Sequence, residues 1–147
     1  DALQEALIDG TIEAFATDHA PHPRNAKALG FVRAPFGIVG LETAVGVTYT
    51  ILVKEGRLSL LEWLRRWTTG PARIVGRPPP SLQPGSPADI ALLDLVNEWT
   101  VDPAAFASKS RNTPFKGCTL TGRAVLTLCG GREVHAAPTL PPVDTTA

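Results

Sequence analysis

A run of three prolines divides the chain more sharply than any other feature of the sequence. The segment Arg77-Pro78-Pro79-Pro80-Ser81 can continue neither a helix nor a central strand, because proline lacks the backbone N–H and fixes its own φ angle. We therefore predict a boundary between a first domain, residues 1–76, and a second domain, residues 77–136. Residues 137–147 are rich in proline and threonine with little to bury, so a flexible tail is expected there.

The first domain is predicted to combine helices with one buried strand, as in the last part of an α/β barrel. Ser59 and Glu62 form a capping box that opens one helix. The apolar stripe of that helix is expected to face a core and consists of Leu60, Trp63, Leu64 and Trp67. The other predicted elements are a helix over Ala2–Ile8 ended by Asp9-Gly10, a strand over Thr11–Ala16, a helix over Ile38–Lys54 capped by Gly56, and a short helix that Gly70-Pro71 opens and Gly76 ends.

The second domain is predicted to be all-β. Its short apolar runs favour strands, and Gly130-Gly131 predicts a hairpin turn. The predicted strands cover Asp89–Leu95, Glu98–Val101 and Arg123–Cys129, with Arg132–His135 as the returning strand of the hairpin. This change from helices to strands agrees with a boundary at the proline run.

Charge and composition argue against several kinds of partner. The fourteen basic and fourteen acidic residues cancel and are scattered, so nucleic acid is not expected to bind. The apolar stretches are broken by carboxylates and are too short for a membrane span. The first residues hold no initiator Met and no signal peptide, so we expect a chain cut from a longer protein. Cys118 and Cys129 fit buried, reduced thiols better than a zinc site or a disulfide, so a cytoplasmic protein is expected.

The segment Ala16-Thr17-Asp18-His19-Ala20-Pro21-His22 places a carboxylate and two imidazoles directly after the predicted buried strand, where barrel enzymes keep catalytic groups. A carboxylate there can bind a metal ion and take a proton from water, and a nearby histidine can hold an anionic substrate. On the residues alone an alternative stays open, in which Asp18 caps a turn and His19 and His22 lie on the surface. The chain has three histidines, too few for a complete two-metal centre, and His135 is expected to be structural.

Four segments carry a resemblance to a known family: Asp9-Gly10-Thr11-Ile12 leading into residues 17–22, Ala34 to Ala44, Ser108 to Phe115, and Gly122-Arg123 before Gly130-Gly131. In order and spacing, they resemble the C-terminal half of the type I bacterial dihydroorotases. The first segment also admits dihydropyrimidinases, hydantoinases and allantoinases, whereas the second and third are typical of dihydroorotases. Pro84-Gly85 with Ala88-Asp89-Ile90 is a looser signature of the β-domain shared by amidohydrolases.

The resemblance implies the C-terminal portion of a (β/α)8 TIM-type barrel followed by part of a small β-sandwich. It also implies zinc-dependent, reversible hydrolysis of dihydroorotate to N-carbamoyl-L-aspartate in pyrimidine biosynthesis, with two zinc ions in the complete enzyme. By this resemblance Asp18 binds metal and acts as the general base, His22 holds the substrate carboxylate, and the backbone of Phe36 and Gly37 contacts the substrate ring. His19 either supports the metal site or packs as a structural ring. This chain alone is expected to be inactive, because the upstream metal ligands of the family are absent from it.

The same resemblance suggests partners and alternatives. The expected partners are the small-molecule substrate, the missing N-terminal half, a second copy in a homodimer, and aspartate transcarbamoylase. The loop Ser108–Phe115 is expected to join the β-domain to the barrel, with Arg111 in an inter-domain ion pair. Two other functions are considered: a related hydrolase of hydantoins or dihydropyrimidines, and a non-catalytic dihydroorotase-like scaffold of aspartate transcarbamoylase.

Overall fold

A computed structural model describes residues 2–138 of the chain. Most of the helices precede the proline run, and the three strands follow it. The helices are α1 (Ala2–Ile8), α2 (Arg24–Lys27), α3 (Ala44–Thr48), a π-helical segment (Tyr49–Lys54), α4 (Leu60–Trp67), α5 (Thr69–Ile74) and a short 3₁₀ turn (Pro103–Ala105). The strands are β1 (Ile90–Thr100), β2 (Thr119–Cys129) and β3 (Arg132–Ala136). The predicted mixed α/β character is confirmed.

The three strands form one antiparallel sheet in the order β1-β2-β3. The Gly130-Gly131 turn joins β2 to β3, as predicted, and both glycines have positive φ. The two strands predicted over residues 89–95 and 98–101 are one strand, β1, with a register shift between Asp94 and Glu98. The Asp94 carboxylate accepts hydrogen bonds from the backbone N–H groups of Val96 and Asn97 at this shift, so the strand bulges without ending.

The helices pack around Trp63, which α4 places in the centre of the first core. The capping box that opens α4 is formed as predicted, with Ser59 and Glu62 hydrogen-bonded to each other's backbone N–H. Trp63 is fully buried and its indole N–H donates to Thr48 Oγ1 at 2.9 Å. Leu64 and Trp67 pack against the same core, but Leu60 is 42% exposed, so the predicted stripe is narrower than expected.

A second core joins the two sides of the proline run. Val39 precedes the run, and it packs in one buried cluster with Val101, Phe106 and Leu120, which follow it. The π-helical segment also lies against β2, where Thr50 Oγ1 accepts from the Thr121 N–H at 2.9 Å. Residues 77–81 are exposed and irregular. The domain boundary stays a prediction, and the two parts share apolar core within the described residues.

Several predicted elements are corrected by tertiary contacts. Thr11–Ala16 is not a strand, because no strand of residues 2–138 lies beside it; Phe15 instead donates its N–H to the carbonyl of Arg66 on α4. The helix predicted from Ile38 begins at Ala44, because the Val39 N–H is bonded to the distant Asn112 carbonyl. The helix ends at Lys54, as predicted, and Gly56 has a positive φ.

Two smaller predictions are also wrong. Gly70 is not the N-cap of α5 but lies inside the helix, where an added Cβ would come 2.1 Å from the Glu13 carbonyl oxygen. The prediction of buried thiols fails, because Cys118 and Cys129 are both exposed, although neither forms a disulfide within residues 2–138. Most of the predicted tail, residues 139–147, lies outside the described residues. No helix between residues 2 and 138 is both long and apolar enough to cross a membrane.

The bulge in β1 leads to a testable pH dependence. Hydrogen bonds from the backbone and side chain of Asn97, and from the backbone of Val96, lower the pKa of Asp94 from 3.8 to about 2. A lowered pKa in the folded state means that the ionised carboxylate stabilises the fold above pH 3.8, and that this stabilisation is lost as pH falls toward 2.

We therefore predict that Asp94→Ala lowers the free energy of unfolding at neutral pH and that its difference from wild type shrinks through this acidic range. Urea unfolding of both proteins at a series of pH values measures the difference. Asp94→Asn keeps one acceptor oxygen and should lose less than Asp94→Ala at neutral pH. A difference that stays constant down to pH 2 would show that the charge of Asp94 does not stabilise the bulge.

Candidate functional site

Asp18 lies in a loop, residues 17–22, that we call the Asp18 loop. Within residues 2–138 it is the one non-glycine residue with a positive φ, at 42°. Such a conformation is costly for most side chains and is tolerated best by aspartate and asparagine. The carboxylate is exposed and accepts no hydrogen bond from the described residues. Strained backbone is often found at functional sites, so the geometry favours a functional role over a turn cap.

The Asp18 loop is held by residues 34–41, the Gly37 loop, at very short range. The Ala20 N–H donates to the Ile38 carbonyl at 2.9 Å, and His19 Nδ1 accepts from the Gly40 N–H at 3.1 Å. A Cβ on Gly37 would lie 2.4 Å from the Ala20 Cβ, and a Cβ on Gly40 would lie 2.9 Å from the Thr17 carbonyl oxygen. Two glycines therefore let the backbones of these loops touch.

The opposite side of the Gly37 loop contacts residues 108–115, the Asn112 loop. Asn112 Nδ2 donates to the Gly37 carbonyl at 2.9 Å, and the Val39 N–H donates to the Asn112 carbonyl at 2.9 Å. Lys27 Nζ also donates to the Gly37 carbonyl, at 3.0 Å, and to the Pro35 carbonyl, at 2.7 Å. The Gly37 loop is thus fixed between the Asp18 loop and the β-rich part of the chain.

The backbone predicted to contact a substrate ring is partly available. The Gly37 carbonyl is occupied by Lys27 and Asn112, so it is not available to a ligand without breaking a contact. The N–H groups of Phe36 and Gly37 have no partner within the described residues, and the Phe36 side chain is 92% exposed. This part of the loop therefore offers hydrogen-bond donors.

His22, at the end of the Asp18 loop, lines a cavity of about 310 Å³. The cavity wall contains four formally cationic side chains and no carboxylate, and Ser110 and Asn112 add polar groups. Such a wall favours an anionic occupant, because opposite charges attract most strongly in a partly enclosed site. The cationic side chains are those of Arg24, Lys27, Lys109 and Arg111.

A larger cavity, of about 650 Å³, lies against α4 and α5 and does not include Asp18 or His22. Its wall contains several arginines but also the carboxylate of Glu13, whereas the wall of the smaller cavity contains no carboxylate. Arg73 forms an ion pair with Glu13 at 2.6 Å, and Arg66 donates to backbone carbonyls, including that of Ile12 at 3.3 Å. The smaller cavity beside His22 is therefore the better candidate for an anion site.

The structure changes the role expected for Arg111 and adds roles for two other residues. Arg111 forms no ion pair within residues 2–138; it donates to the backbone carbonyls of Ser108 and Ser110. The Asn112 loop does contact the other half of the chain, through Asn112 and through the Ser108 N–H, which donates to Glu42 Oε1 at 2.9 Å. Sequence reasoning missed the roles of Lys27 and Asn112. For Asn112 the signal was its place in a segment already singled out, and for Lys27 there was none.

The described residues do not by themselves fit a metal centre. Asp18 offers one exposed carboxylate, but residues 2–138 contain no group of three or more His, Cys, Asp or Glu side chains that could hold a metal ion. His19 Nδ1 is already engaged as an acceptor of backbone N–H groups. Asp18 could therefore supply one ligand, and any further ligands would have to come from elsewhere.

Comparison with known proteins identifies the family. Residues 1–135 match the family model described as "Amidohydrolase family". The chain belongs to the amidohydrolase family. It is 52% identical over 134 residues to a dihydroorotase of Anaeromyxobacter dehalogenans, and 50% identical over 133 residues to a dihydroorotase of Pelotomaculum thermopropionicum. These matches cover 91% and 90% of this chain but 31% of each relative, so this amidohydrolase chain spans about a third of their length.

Solved amidohydrolase structures share the fold. An L-hydantoinase (dihydropyrimidinase) from Arthrobacter aurescens matches with a TM-score of 0.84 at 37% identity, over 91% of this chain and 31% of that one. A D-hydantoinase (dihydropyrimidinase) from Thermus sp. matches with a TM-score of 0.83 at 27% identity, over 92% of this chain and 31% of that one. The resemblance to dihydroorotases inferred from the sequence is confirmed, and the fold is that of the amidohydrolases.

The contact between the Gly37 and Asp18 loops can be tested with two glycine variants. Gly37 and Gly30 both have positive φ, at 101° and 79°, but an added Cβ meets Ala20 at Gly37 and nothing within 4 Å at Gly30. We predict that Gly37→Ala lowers the free energy of unfolding by about 1–3 kcal/mol more than Gly30→Ala, because only the first variant overpacks the contact. Chemical denaturation measures both. Equal losses would mean that the loops separate at little cost.

Proposed function

We propose that this chain is part of a dihydroorotase, which interconverts dihydroorotate and N-carbamoyl-L-aspartate. One observation carries the proposal. Three of the segments that resemble dihydroorotases, far apart in the sequence, meet at Gly37: Ala20 lies against its α-carbon, and Asn112 bonds its carbonyl. The curated relatives at about 50% identity support the same substrate class.

In this proposal Asp18 is the general base. Its carboxylate is exposed and accepts no hydrogen bond from residues 2–138, so its oxygens are available to take a proton from an attacking water molecule. The water oxygen then bonds to the ring amide carbon, the C–N bond breaks, and Asp18 returns the proton to the leaving nitrogen. A base positioned in this way typically contributes about a hundred- to ten-thousand-fold in rate.

His22 and the backbone of the Gly37 loop bind the substrate in this scheme. The carboxylate of dihydroorotate fits the cavity that His22 shares with Arg24, Lys27, Lys109 and Arg111, because every charged group in that wall is basic. The N–H groups of Phe36 and Gly37 donate to the polar atoms of the substrate ring. The positive φ of Gly37, 101°, gives a backbone conformation that other residues rarely adopt.

Several properties of the complete protein belong to the proposal. We propose a (β/α)8 barrel followed by a β-sandwich, of which this chain supplies the C-terminal part, in a cytoplasmic enzyme of pyrimidine biosynthesis. Zinc, as two ions, would activate the water; this chain would contribute Asp18 as a ligand and depend on the remaining length for the others, so alone it would be inactive. The proposed partners are that remaining length, a second copy of the protein, and aspartate transcarbamoylase.

A hydantoinase or dihydropyrimidinase is the second candidate function. The similarity to the Arthrobacter aurescens L-hydantoinase, at 37% identity, favours it. The charge of the cavity argues against it, because hydantoin and dihydropyrimidine rings lack the carboxylate that four cationic side chains would bind. A non-catalytic scaffold is also considered, but nothing about a scaffold requires an exposed carboxylate in a strained loop.

Turnover of dihydroorotate by the complete gene product that contains this sequence tests the proposal directly. We predict that Asp18→Asn lowers kcat by about a hundred- to ten-thousand-fold, because an amide cannot accept the proton. Asparagine tolerates the positive φ at this position, so the loop is preserved. Wild type should hydrolyse dihydroorotate in preference to hydantoin and dihydrouracil. Faster turnover of the neutral rings would favour a hydantoinase or dihydropyrimidinase. No turnover of any of the three compounds would favour the non-catalytic scaffold.

The role of His22 gives a separate prediction. Loss of a hydrogen bond to a charged group costs about 1.5–3 kcal/mol, so His22→Ala should raise KM for dihydroorotate about ten- to a hundredfold. His135→Ala is the matched control, because His135 is exposed on β3 and lines neither cavity. Steady-state kinetics of both variants decide the point. An unchanged KM in His22→Ala would remove His22 from the carboxylate site.

A further inference from the structure

His19 is the side chain that joins the Asp18 loop to the Gly37 loop. Its Nδ1 atom accepts hydrogen bonds from the backbone N–H of Gly40 at 3.1 Å and of Leu41 at 3.3 Å. A nitrogen that accepts hydrogen bonds carries no proton, so the proton of the neutral ring lies on Nε2. The ring is therefore oriented by Nδ1, and this atom is not available to bind a metal ion.

The position of His19 in the chain gives this contact its importance. Asp18, the residue before it, has the positive φ of 42°, and Ala20, the residue after it, donates its N–H to the Ile38 carbonyl. The His19 hydrogen bonds and the Ala20 hydrogen bond thus fix the chain directly beyond the strained residue. Gly40 is buried and lies against Thr17, so the same contact also fixes the residue before Asp18.

His19 is the acceptor for two amides of the Gly37 loop, one of them on the buried Gly40. They belong to the turn before α3, and within the described residues their N–H groups donate to His19 alone. A buried N–H without an acceptor is unfavourable. The hydrogen bond therefore stabilises both the position of the Gly40 amide and the position of the His19 ring. The link is consequently specific to an acceptor at the Nδ1 position.

We propose that His19 is a positioning residue that acts through Nδ1 to hold the Asp18 carboxylate in its reactive orientation. This inference rests on the proposed function, because the orientation matters for catalysis only if Asp18 is the general base. His19 does not touch the reacting atoms in this proposal. It keeps the strained loop in the one conformation that the Gly37 loop accommodates.

Two amide side chains distinguish the proposal from other roles of histidine. Asparagine places its Oδ1 where histidine has Nδ1, whereas glutamine places its Oε1 near Nε2. We predict that His19→Gln and His19→Ala each lower kcat for dihydroorotate about ten- to a hundredfold, since a displacement of about 1 Å can cost that much, with little change in KM. His19→Asn should stay within a few-fold of wild type.

Amide hydrogen exchange supplies a readout that does not depend on turnover. In the complete gene product, exchange at Gly40 and Leu41 should be faster in His19→Gln and His19→Ala than in wild type, and close to wild type in His19→Asn. If His19→Ala does not fold, the comparison of His19→Asn with His19→Gln still tests the role of Nδ1. If wild type shows no turnover of dihydroorotate, the proposed function fails. The exchange data would still show whether the hydrogen bonds from Gly40 and Leu41 to His19 form.

Three results would overturn the inference. One is full activity in His19→Gln together with its loss in His19→Asn, because the ring would then act through Nε2. Another is unchanged kcat in all three variants of a protein that does hydrolyse dihydroorotate. The third is a rise in KM with constant kcat, since the ring would then serve substrate binding instead of the orientation of Asp18.

Discussion

The contact between two loop backbones governs the rest of the site. Gly37 and Gly40 lack the Cβ atoms that would collide with Ala20 and Thr17, so the Asp18 loop can lie directly on the Gly37 loop. Hydrogen bonds can form across such a contact only when the backbones are this close. The hydrogen bonds of His19 to Gly40 and of Ala20 to Ile38, which flank the strained Asp18, depend on that approach.

The β-rich part of the chain supports this contact from behind. Asn112 bonds the Gly37 loop through both its side chain and its backbone carbonyl, and Val39 is buried among Val101, Phe106 and Leu120. The β-rich part therefore does not pack as a separate unit. It supplies apolar core under the loop that carries the candidate ring-binding backbone.

Two local signals were read correctly from the sequence, although the N-cap predicted at Gly70 was wrong, and the non-local contacts were not predicted. The capping box at Ser59 and the hairpin at Gly130-Gly131 involve residues within a few positions of each other, so their patterns predict their structures. The start of α3 was misplaced because the N–H groups of Val39 and Gly40 bond to Asn112 and His19, which are distant in the sequence. No local pattern contains that information.

For the candidate site, too, residues in one short segment could be predicted from the sequence, and contacts between distant segments could not. Asp18 and His22 could be singled out from a motif and a resemblance, since both belong to one short segment. The role of Lys27, whose ammonium group bonds two carbonyls of the Gly37 loop, depends on how that loop folds back on α2. A backbone strained at Asp18 costs about 1–3 kcal/mol and persists only where its surroundings determine it. The hydrogen bonds of His19, Lys27 and Asn112 are those surroundings, so the conformation of the Asp18 loop depends on residues outside the short motif that contains Asp18 and His22.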